Sequence, residues 1–284
     1  MLKILVTGGN GQLASCIKEV SLNYADALDF VYKSSSELDV SNTNAVDKVF
    51  SEQDFDYCIN GAAFTDVDDA EKEKERSESV NRDGSKNLAR ACEQHNSVLI
   101  HISTDFVFDG RQSTPYTEHD STNPLSQYGK TKLLGEQEIQ SICKKYFIVR
   151  TSWLYSEYGN NFLKSMLKYS GERDQLSVVF DQVGTPTYAR DLAEVLLAFI
   201  KNSITDYGIY HYSNEGVASW YDFAKAIFEI NHIELDLKPI RSFEYPLPAK
   251  RPSYSVLDKS KIKATLNIEI PYWMESLIRA CKAL

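Results

Sequence analysis

The segment from Leu2 to Val20 constrains the fold of this chain more than any other. Leu2 to Thr7 is a short apolar, β-branched run that stops at Gly8-Gly9-Asn10-Gly11-Gln12-Leu13-Ala14, and Ser15 to Val20 then reads as helix. A strand, a glycine turn and a helix form the context that a dinucleotide fingerprint requires. The spacing is Gly8-x-x-Gly11-x-x-Ala14 rather than Gly-x-Gly-x-x-Gly. Gly8 permits the tight turn, and Gly11 lets backbone approach a pyrophosphate at the positive helix N-terminus. Ala14 is still small enough for close helix–strand packing. A glycine turn of this kind can also serve only to turn the chain.

The same alternation continues. Leu28 to Tyr32 reads as a second parallel strand, Asn44 to Glu52 as a helix, and Tyr57 to Asn60 as a third strand running into Gly61, Ala62 and Ala63. Small residues at a strand's carboxyl end let a cofactor lie against backbone, or let a helix pack closely. Ala70 to Ser79 is a charged run with the character of a solvated helix face, and Asn81 to His95 has apolar residues at helical spacing. Val98 to Ile102 is a fourth strand, with His101 inside it as a packed core residue, and Tyr146 to Thr151 is another strand. This order predicts an α/β fold: a Rossmann-type doubly wound parallel sheet, with its ligand crevice at the carboxyl ends of the strands. Gly8 to Gly11, Ala63, Thr104 and Trp153 would converge there.

Beyond Trp153 the pattern loosens. Ser177 to Phe180 and Gly208 to Tyr212 are strand-like, and Tyr188 to Ile200 is an amphipathic helix. Ser219 to Asp222 resembles a capping box opening a helix to Ile230. Asn231 to Arg251 holds short elements and prolines, and reads as part of a smaller lid. The expected division is a dinucleotide-binding domain of residues 1–152 plus 186–213 and a smaller C-terminal substrate-binding domain of residues 153–185 plus 214–284.

Composition narrows the partners. A chain of 284 residues, 43% hydrophobic and 25% charged, suits one large α/β domain or a domain with an annex. A net charge of −9 argues against a nucleic-acid partner. No apolar run approaches the ~20 residues of a membrane span. The chain opens on a strand with no signal-peptide pattern, so a cytoplasmic location is expected. Cys16, Cys58, Cys92, Cys143 and Cys281 are scattered and never form Cys-x-x-Cys, as expected of reduced thiols. The five histidines show no metal-ligand spacing, so no catalytic metal is expected.

The chemistry enters at Tyr128-Gly129-Lys130-Thr131-Lys132, just after the helix-start signal Asn123-Pro124. A tyrosine and a lysine four residues apart project from one helix face. An ammonium beside a phenol would favour the phenolate and improve proton exchange near neutral pH. The hydroxyl of Thr104, delivered by the fourth strand, could complete a cradle for one oxygen atom. At the other end of the crevice, the second strand ends in Lys33 and Ser34 to Ser36, with no acid until Glu37. A carboxylate there would bind the ribose 2′-hydroxyl and repel a 2′-phosphate; Lys33 would do the reverse, or point to solvent. NADPH is therefore expected to serve at least as well as NADH. Asp39 and Val40 are placed to touch the adenine edge, although Asp39 would serve equally as an N-cap.

Together these stretches resemble the extended short-chain dehydrogenase/reductase superfamily and, within it, the dTDP-4-dehydrorhamnose reductases. The resemblance spans almost the whole chain, in order: TGGNGQLA, ELDV, INGAAFTDVDDAE, STDFVFDG, PLSQYGKTKLLGE, RTSWLY, GNNF, DQVGTPT, GIYHYSN and PAKRP. It implies NADPH- or NADH-dependent reduction of the 4-keto group of a dTDP-linked 4-keto-6-deoxyhexose, foremost dTDP-4-dehydro-L-rhamnose, in the synthesis of dTDP-rhamnose and polysaccharide. It gives Tyr128 the role of proton donor to the C4 oxygen. Lys132 would hold the cofactor ribose and depress the Tyr128 pKa, and Thr104 would hydrogen-bond the keto oxygen. Asp105 and Trp153 would line the sugar pocket. Cofactor contacts would fall to Gly8, Asn10, Gly11, Gln12, Leu13, Asp39, Val40, Ala62, Ala63, Phe64 and Thr65.

Three positions depart from the family pattern. Phe106 stands where a tyrosine is usual, which removes a pocket hydroxyl, and Ala14 replaces the third glycine. Ser15 and Arg190 occupy neighbourhoods where some relatives bind magnesium through glutamates at a dimer contact, so the resemblance allows a homodimer but not a metal-linked one. Two other readings share these residues: the same reduction giving a talose-, fucose- or quinovose-type product, and a non-catalytic nucleotide-binding partner such as the regulatory β subunit of methionine adenosyltransferase. Sugar-nucleotide dehydratases place an Asp-Glu pair after the threonine. Thr104-Asp105-Phe106 has none, so no dehydratase activity is expected.

Overall fold

The computed structural model describes all 284 residues. In chain order the elements are β1 (Leu2–Thr7), α1 (Gln12–Ser21), β2 (Leu28–Lys33), α2 (Thr43–Glu52), β3 (Tyr57–Asn60), α3 (Val67–Lys72), α4 (Lys74–Glu78), α5 (Gly84–Gln94) and β4 (Val98–Thr104). Then come α6 (Gln127–Ile142), β5 (Tyr146–Thr151), β6 (Leu154–Tyr155), α7 (Phe162–Ser170), β7 (Gln175–Val179), β8 (Val183–Gly184), β9 (Thr187–Tyr188), α8 (Ala189–Lys201) and β10 (Gly208–His211). The last are β11 (Ala218–Ser219), α9 (Trp220–Ile230), β12 (Asp236–Ile240), α10 (Ser260–Leu266) and α11 (Trp273–Lys282).

Six strands form one sheet in the order β10-β5-β4-β3-β1-β2, every pair parallel. Alternate strand residues feed two cores, as the two-residue period of a strand covered on both faces requires. Ile4, Val6, Ile59, Ile100, Phe147 and Val149 pack with α1 and α8, whereas Leu5, Cys58, Leu99 and Ile148 pack with α2, α5 and α6. This is the expected doubly wound sheet. The chain reverses direction across the sheet between β1 and β3, which puts the crevice at their carboxyl ends. A third core, holding Leu163, Leu176, Phe223, Ile227, Trp273 and Leu277, gathers α7, α9 and α11 against the parallel pair β7–β12.

Several local expectations are adjusted. The first helix starts at Gln12, three residues early, because Gly11 in extended backbone is its N-cap. The helix expected from Asn81 begins at Gly84, after a wide π turn at Ser79–Asp83. That widening lets α6 approach closely: a Cβ on Gly135 would stand 2.4 Å from the Asn81 carbonyl oxygen. Asp39 does not cap α2. Asn42 does, accepting from Ala45 N at 3.2 Å, while Asp39 accepts from the Ser41 N–H and hydroxyl. The capping box at Ser219 and Asp222 forms as expected. All five cysteines are free thiols, and no helix is long and apolar enough to cross a membrane. Arg190 is engaged within the chain, 2.9 Å from Glu19, which also accepts from the Tyr158 hydroxyl.

Candidate active site

The glycine turn lies at the switch point and its shape is enforced there. Gly8 has φ +69°, and a Cβ on it would meet the Gly61 carbonyl oxygen at 2.7 Å, so only glycine lets the β1 and β3 loops touch. Gly11 provides no side-chain cap, which leaves the first amides of α1 free to meet an anion. Gln12 ties this turn to the far side of the crevice: its Nε2 donates to the Leu154 carbonyl at 3.2 Å and its Oε1 accepts from Ser156 and Asn161. The Ala62–Thr65 loop is pinned by Asn81, which accepts from Phe64 N (2.8 Å) and donates to Phe64 O (3.1 Å) and Thr131 Oγ1 (3.0 Å).

A cleft of about 900 Å³ runs along these carboxyl ends. Its walls bring together Gly8, Asn10, Gly11, Gln12, Leu13, Asp39, Val40, Ala62, Ala63, Phe64 and Thr65 at one side and Thr104, Asp105, Tyr128, Lys132 and Trp153 at the other. That volume suits a dinucleotide-sized ligand. Lys33 is the one expected residue the cleft does not include. Its carbonyl accepts from Gly9 N at 2.8 Å, and Ser35 stands in the wall instead. Arg76, over the Phe64 ring at 5.4 Å, is a lining cation within the charged run whose sequence has the character of a solvated face.

At the chemical end, α6 begins at Ser126, whose side chain accepts from Gly129 N, so Tyr128 sits in the first turn and Lys132 one turn on. Gly129 is needed there, since a Cβ would lie 2.3 Å from the Phe106 carbonyl oxygen. The Phe106 ring meets Tyr128 edge-on, 5.8 Å between centroids. The expected depression of the Tyr128 phenol is not found. Burial pushes it up to about 12, with Thr104 bonding acting the other way and Asp105 adding to the rise. The Lys132 amine donates to the Ile102 carbonyl (2.6 Å) and lies near His101 Nε2 (3.2 Å). His101 is a core residue as expected, yet it touches the site lysine. Thr104 Oγ1 donates to Asp105 Oδ1 at 3.1 Å and accepts from Phe106 N at 3.2 Å. Asp105 is buried with Oδ2 unpartnered, and desolvation raises its carboxyl to about 7.

The far wall is aromatic. Trp153 has φ +46° and stacks on Trp220 at 3.6 Å, 9° from parallel. Left-handed backbone costs a non-glycine residue about 1–2 kcal/mol, which the stack and the bond from Thr187 N to the Trp153 carbonyl hold in place. Gly184 makes room, as a Cβ there would meet the Trp153 ring at 2.7 Å. Beyond Trp220 a second cavity of about 1000 Å³ contains Arg173, Lys250 and Arg251. Arg251 lines both cavities and pairs with Asp68 at 2.6 Å, joining α3 to the proline-rich loop. Trp220, Arg251 and Asp68 are site residues that no local sequence pattern marks; Arg251 and Asp68 lie in the PAKRP and DVDDAE stretches, but nothing local says that they meet.

Comparison with known proteins agrees along the whole length. The family described as RmlD substrate binding domain matches residues 2–284. A dTDP-4-dehydrorhamnose reductase from Aggregatibacter actinomycetemcomitans is 41% identical, covering 98% of this chain and 97% of its own. The crystal structure of a dTDP-4-dehydrorhamnose reductase from Clostridium acetobutylicum superposes with a TM-score of 0.95 at 42% identity, over 99% of each chain. The Bacillus anthracis enzyme of the same name, solved in complex with NADP, gives 0.96 at 38% identity over 100% of each. The chain belongs to the dTDP-4-dehydrorhamnose reductase family.

Proposed function

We propose that this chain reduces the 4-keto group of dTDP-4-dehydro-L-rhamnose to give dTDP-L-rhamnose, with NADPH or NADH as reductant. The observation that carries this reading is the meeting of Tyr128, Lys132 and Thr104 with an uncapped glycine turn in one cleft, in a chain similar throughout to enzymes of that name. The Bacillus anthracis relative was solved with NADP, which supports the same cofactor class here. The bound dinucleotide supplies the hydride. Gly8, Asn10, Gly11, Gln12 and Leu13 would hold its pyrophosphate through backbone amides, Asp39 and Val40 would flank the adenine, and Ala62 to Thr65 would form the floor.

The protein's own work is positional and acidic. Tyr128 retains its proton throughout the neutral range, because burial raises the phenol to about 12. That is the state an acid needs: it holds a proton until negative charge builds on the C4 oxygen, then gives it up. Trp153 and Trp220 offer a flat wall to the sugar, and exclude water from it. The second cavity, with Arg173, Lys250 and Arg251, has the charge and aromatic lining to take the dTDP portion. On this reading residues 1–152 plus 186–213 hold the cofactor, and residues 153–185 plus 214–284 hold the substrate.

The test is turnover of NADPH with a panel of dTDP-4-keto-6-deoxy sugars, followed by NMR of the product. An L-rhamno product is expected. Preferred formation of another stereoisomer would replace the substrate assignment, and binding without any turnover would favour the regulatory-subunit reading.

A further inference from the structure

Lys132 is 2% exposed and has no carboxylate partner. Its Nζ lies 2.6 Å from the Ile102 carbonyl oxygen and 3.2 Å from His101 Nε2. The groups behind the ring decide which nitrogen of that second contact carries the proton. The backbone N–H of Ala62 can only donate, and it points at Asn60 Oδ1 at 3.1 Å; the Thr7 hydroxyl donates to the same oxygen at 2.7 Å. The Asn60 amide is thereby oriented with its NH₂ toward His101 Nδ1, 3.0 Å away. Nδ1 accepts, so a neutral ring carries its proton on Nε2. The ring is neutral, since complete burial and the nearby lysine hold its pKa well below the usual histidine range. Nε2–H then points at Lys132, and only an uncharged amine has a lone pair to receive it.

We infer that His101, locked by Asn60 as the Nε2–H tautomer, is a positioning residue that stabilises Lys132 as a neutral amine, so that the lysine readily gives up its proton to the cleft. The catalytic use of that proton rests on the reductase reading; the tautomer does not. In that reaction Tyr128 loses one proton to the C4 oxygen. One proton from the Lys132 ammonium restores the phenol and leaves the amine, which takes the hydrogen bond from His101 until water returns the proton. The charged group acting on this lysine is Glu136 on the same helix, itself paired to Arg150 of β5, while Tyr128 and Asp105 share the cleft wall with it. Burial lowers the Lys132 amine to about 8, and Glu136 offsets only part of that.

The experiment is long-range ¹H–¹⁵N NMR of histidine-labelled protein with NADPH bound, the His101 signal being assigned by its loss in His101→Gln, together with the pH profile of kcat/KM. Native protein is expected to show a neutral Nε2–H ring at neutral and mildly alkaline pH. Asn60→Asp presents a carboxylate oxygen to Nδ1, which converts the ring to Nδ1–H and turns Nε2 into an acceptor for the ammonium. The alkaline limb of kcat/KM should then move up by about one pH unit or more. A native ring found as Nδ1–H or as imidazolium overturns the inference, and that measurement stands even if the variant does not fold. A flipped tautomer with an unmoved pH limb overturns it as well. Absence of reductase turnover in native protein would sink the functional reading while leaving the tautomer result intact.

Discussion

Two buried charged residues one turn apart on α6 are treated in opposite ways. Glu136 is fully buried and fully partnered: Arg150 donates to it from Nη2 at 2.7 Å and from Nε at 3.0 Å, and the Ser103 hydroxyl at 2.5 Å. Lys132 is nearly as buried, and meets only a carbonyl and an imidazole. Asp105 repeats the second pattern, with one oxygen on Thr104 and the other on nothing. A buried charge is tolerable when its counter-charge and hydrogen bonds are in place; without them burial drives the group toward neutrality. Lys132 falls to about 8 and Asp105 rises to about 7, both close to the pH at which protons must be exchanged. The contrast separates buried charge that braces the scaffold from buried charge that serves the chemistry.

Removing each kind should have a different signature. Tyr128→Phe deletes the acid and nothing structural, so kcat should fall by about 10²- to 10⁴-fold with cofactor affinity nearly intact. Fluorescence titration with NADPH beside steady-state rates checks this, and a variant keeping most of its kcat would remove Tyr128 from the mechanism. Glu136→Ala strands Arg150, and breaking a buried pair in this way costs roughly 3–5 kcal/mol. Denaturant unfolding should show a large fall in midpoint. A loss below about 1 kcal/mol would mean that the pair does not brace α6 after all.

Asp105→Asn tests the unpartnered class through pH. The folded-state value near 7 lies above the ordinary 3.8, so the fold favours the neutral acid. Its stabilising contribution is fully present below about pH 4 and is lost as pH rises through about 7. An asparagine is neutral throughout, so the variant should gain about 1–3 kcal/mol relative to native protein between about pH 5 and pH 8.5. Thermal unfolding at both pH values reads it. A difference that does not change with pH would show Asp105 ionised across the range.

The parts of this molecule written in local spacing were legible without coordinates. The β1 turn, the succession of strands along the chain up to β5 and the Tyr128–Lys132 pair each depend on residues a few positions apart. The anchoring of Lys132 was not legible, because it is set by His101 and by Asn60 and Ala62 behind it, from two other strand ends. The Tyr-x-x-x-Lys spacing predicts a downward shift of the phenol, and burial shifts it up. The aromatic wall was half legible: Trp153 stood at a strand end, whereas Trp220 had only the look of a helix start. The Asp68–Arg251 pair spans 183 positions, and no pattern in either stretch names the other.

Lys33 marks the far limit of the contrast, a charge at the rim rather than in the interior. Its position at the end of β2 suggested a reader of the 2′-phosphate, but its backbone serves Gly9 and its amine makes no ion pair, with Ser35 in the cleft wall. A lysine acting through water at such a rim is worth at most ~1 kcal/mol, roughly fivefold in preference. Lys33→Ala should therefore lower the ratio of kcat/KM for NADPH over NADH by about fivefold or less. The effect should fade as salt shortens the Debye length toward about 3 Å near 1 M. A drop of about a hundredfold that persists in salt would mean that Lys33 turns inward and pairs directly with the phosphate, and an interior charge would then have to be added to the cofactor end of the cleft.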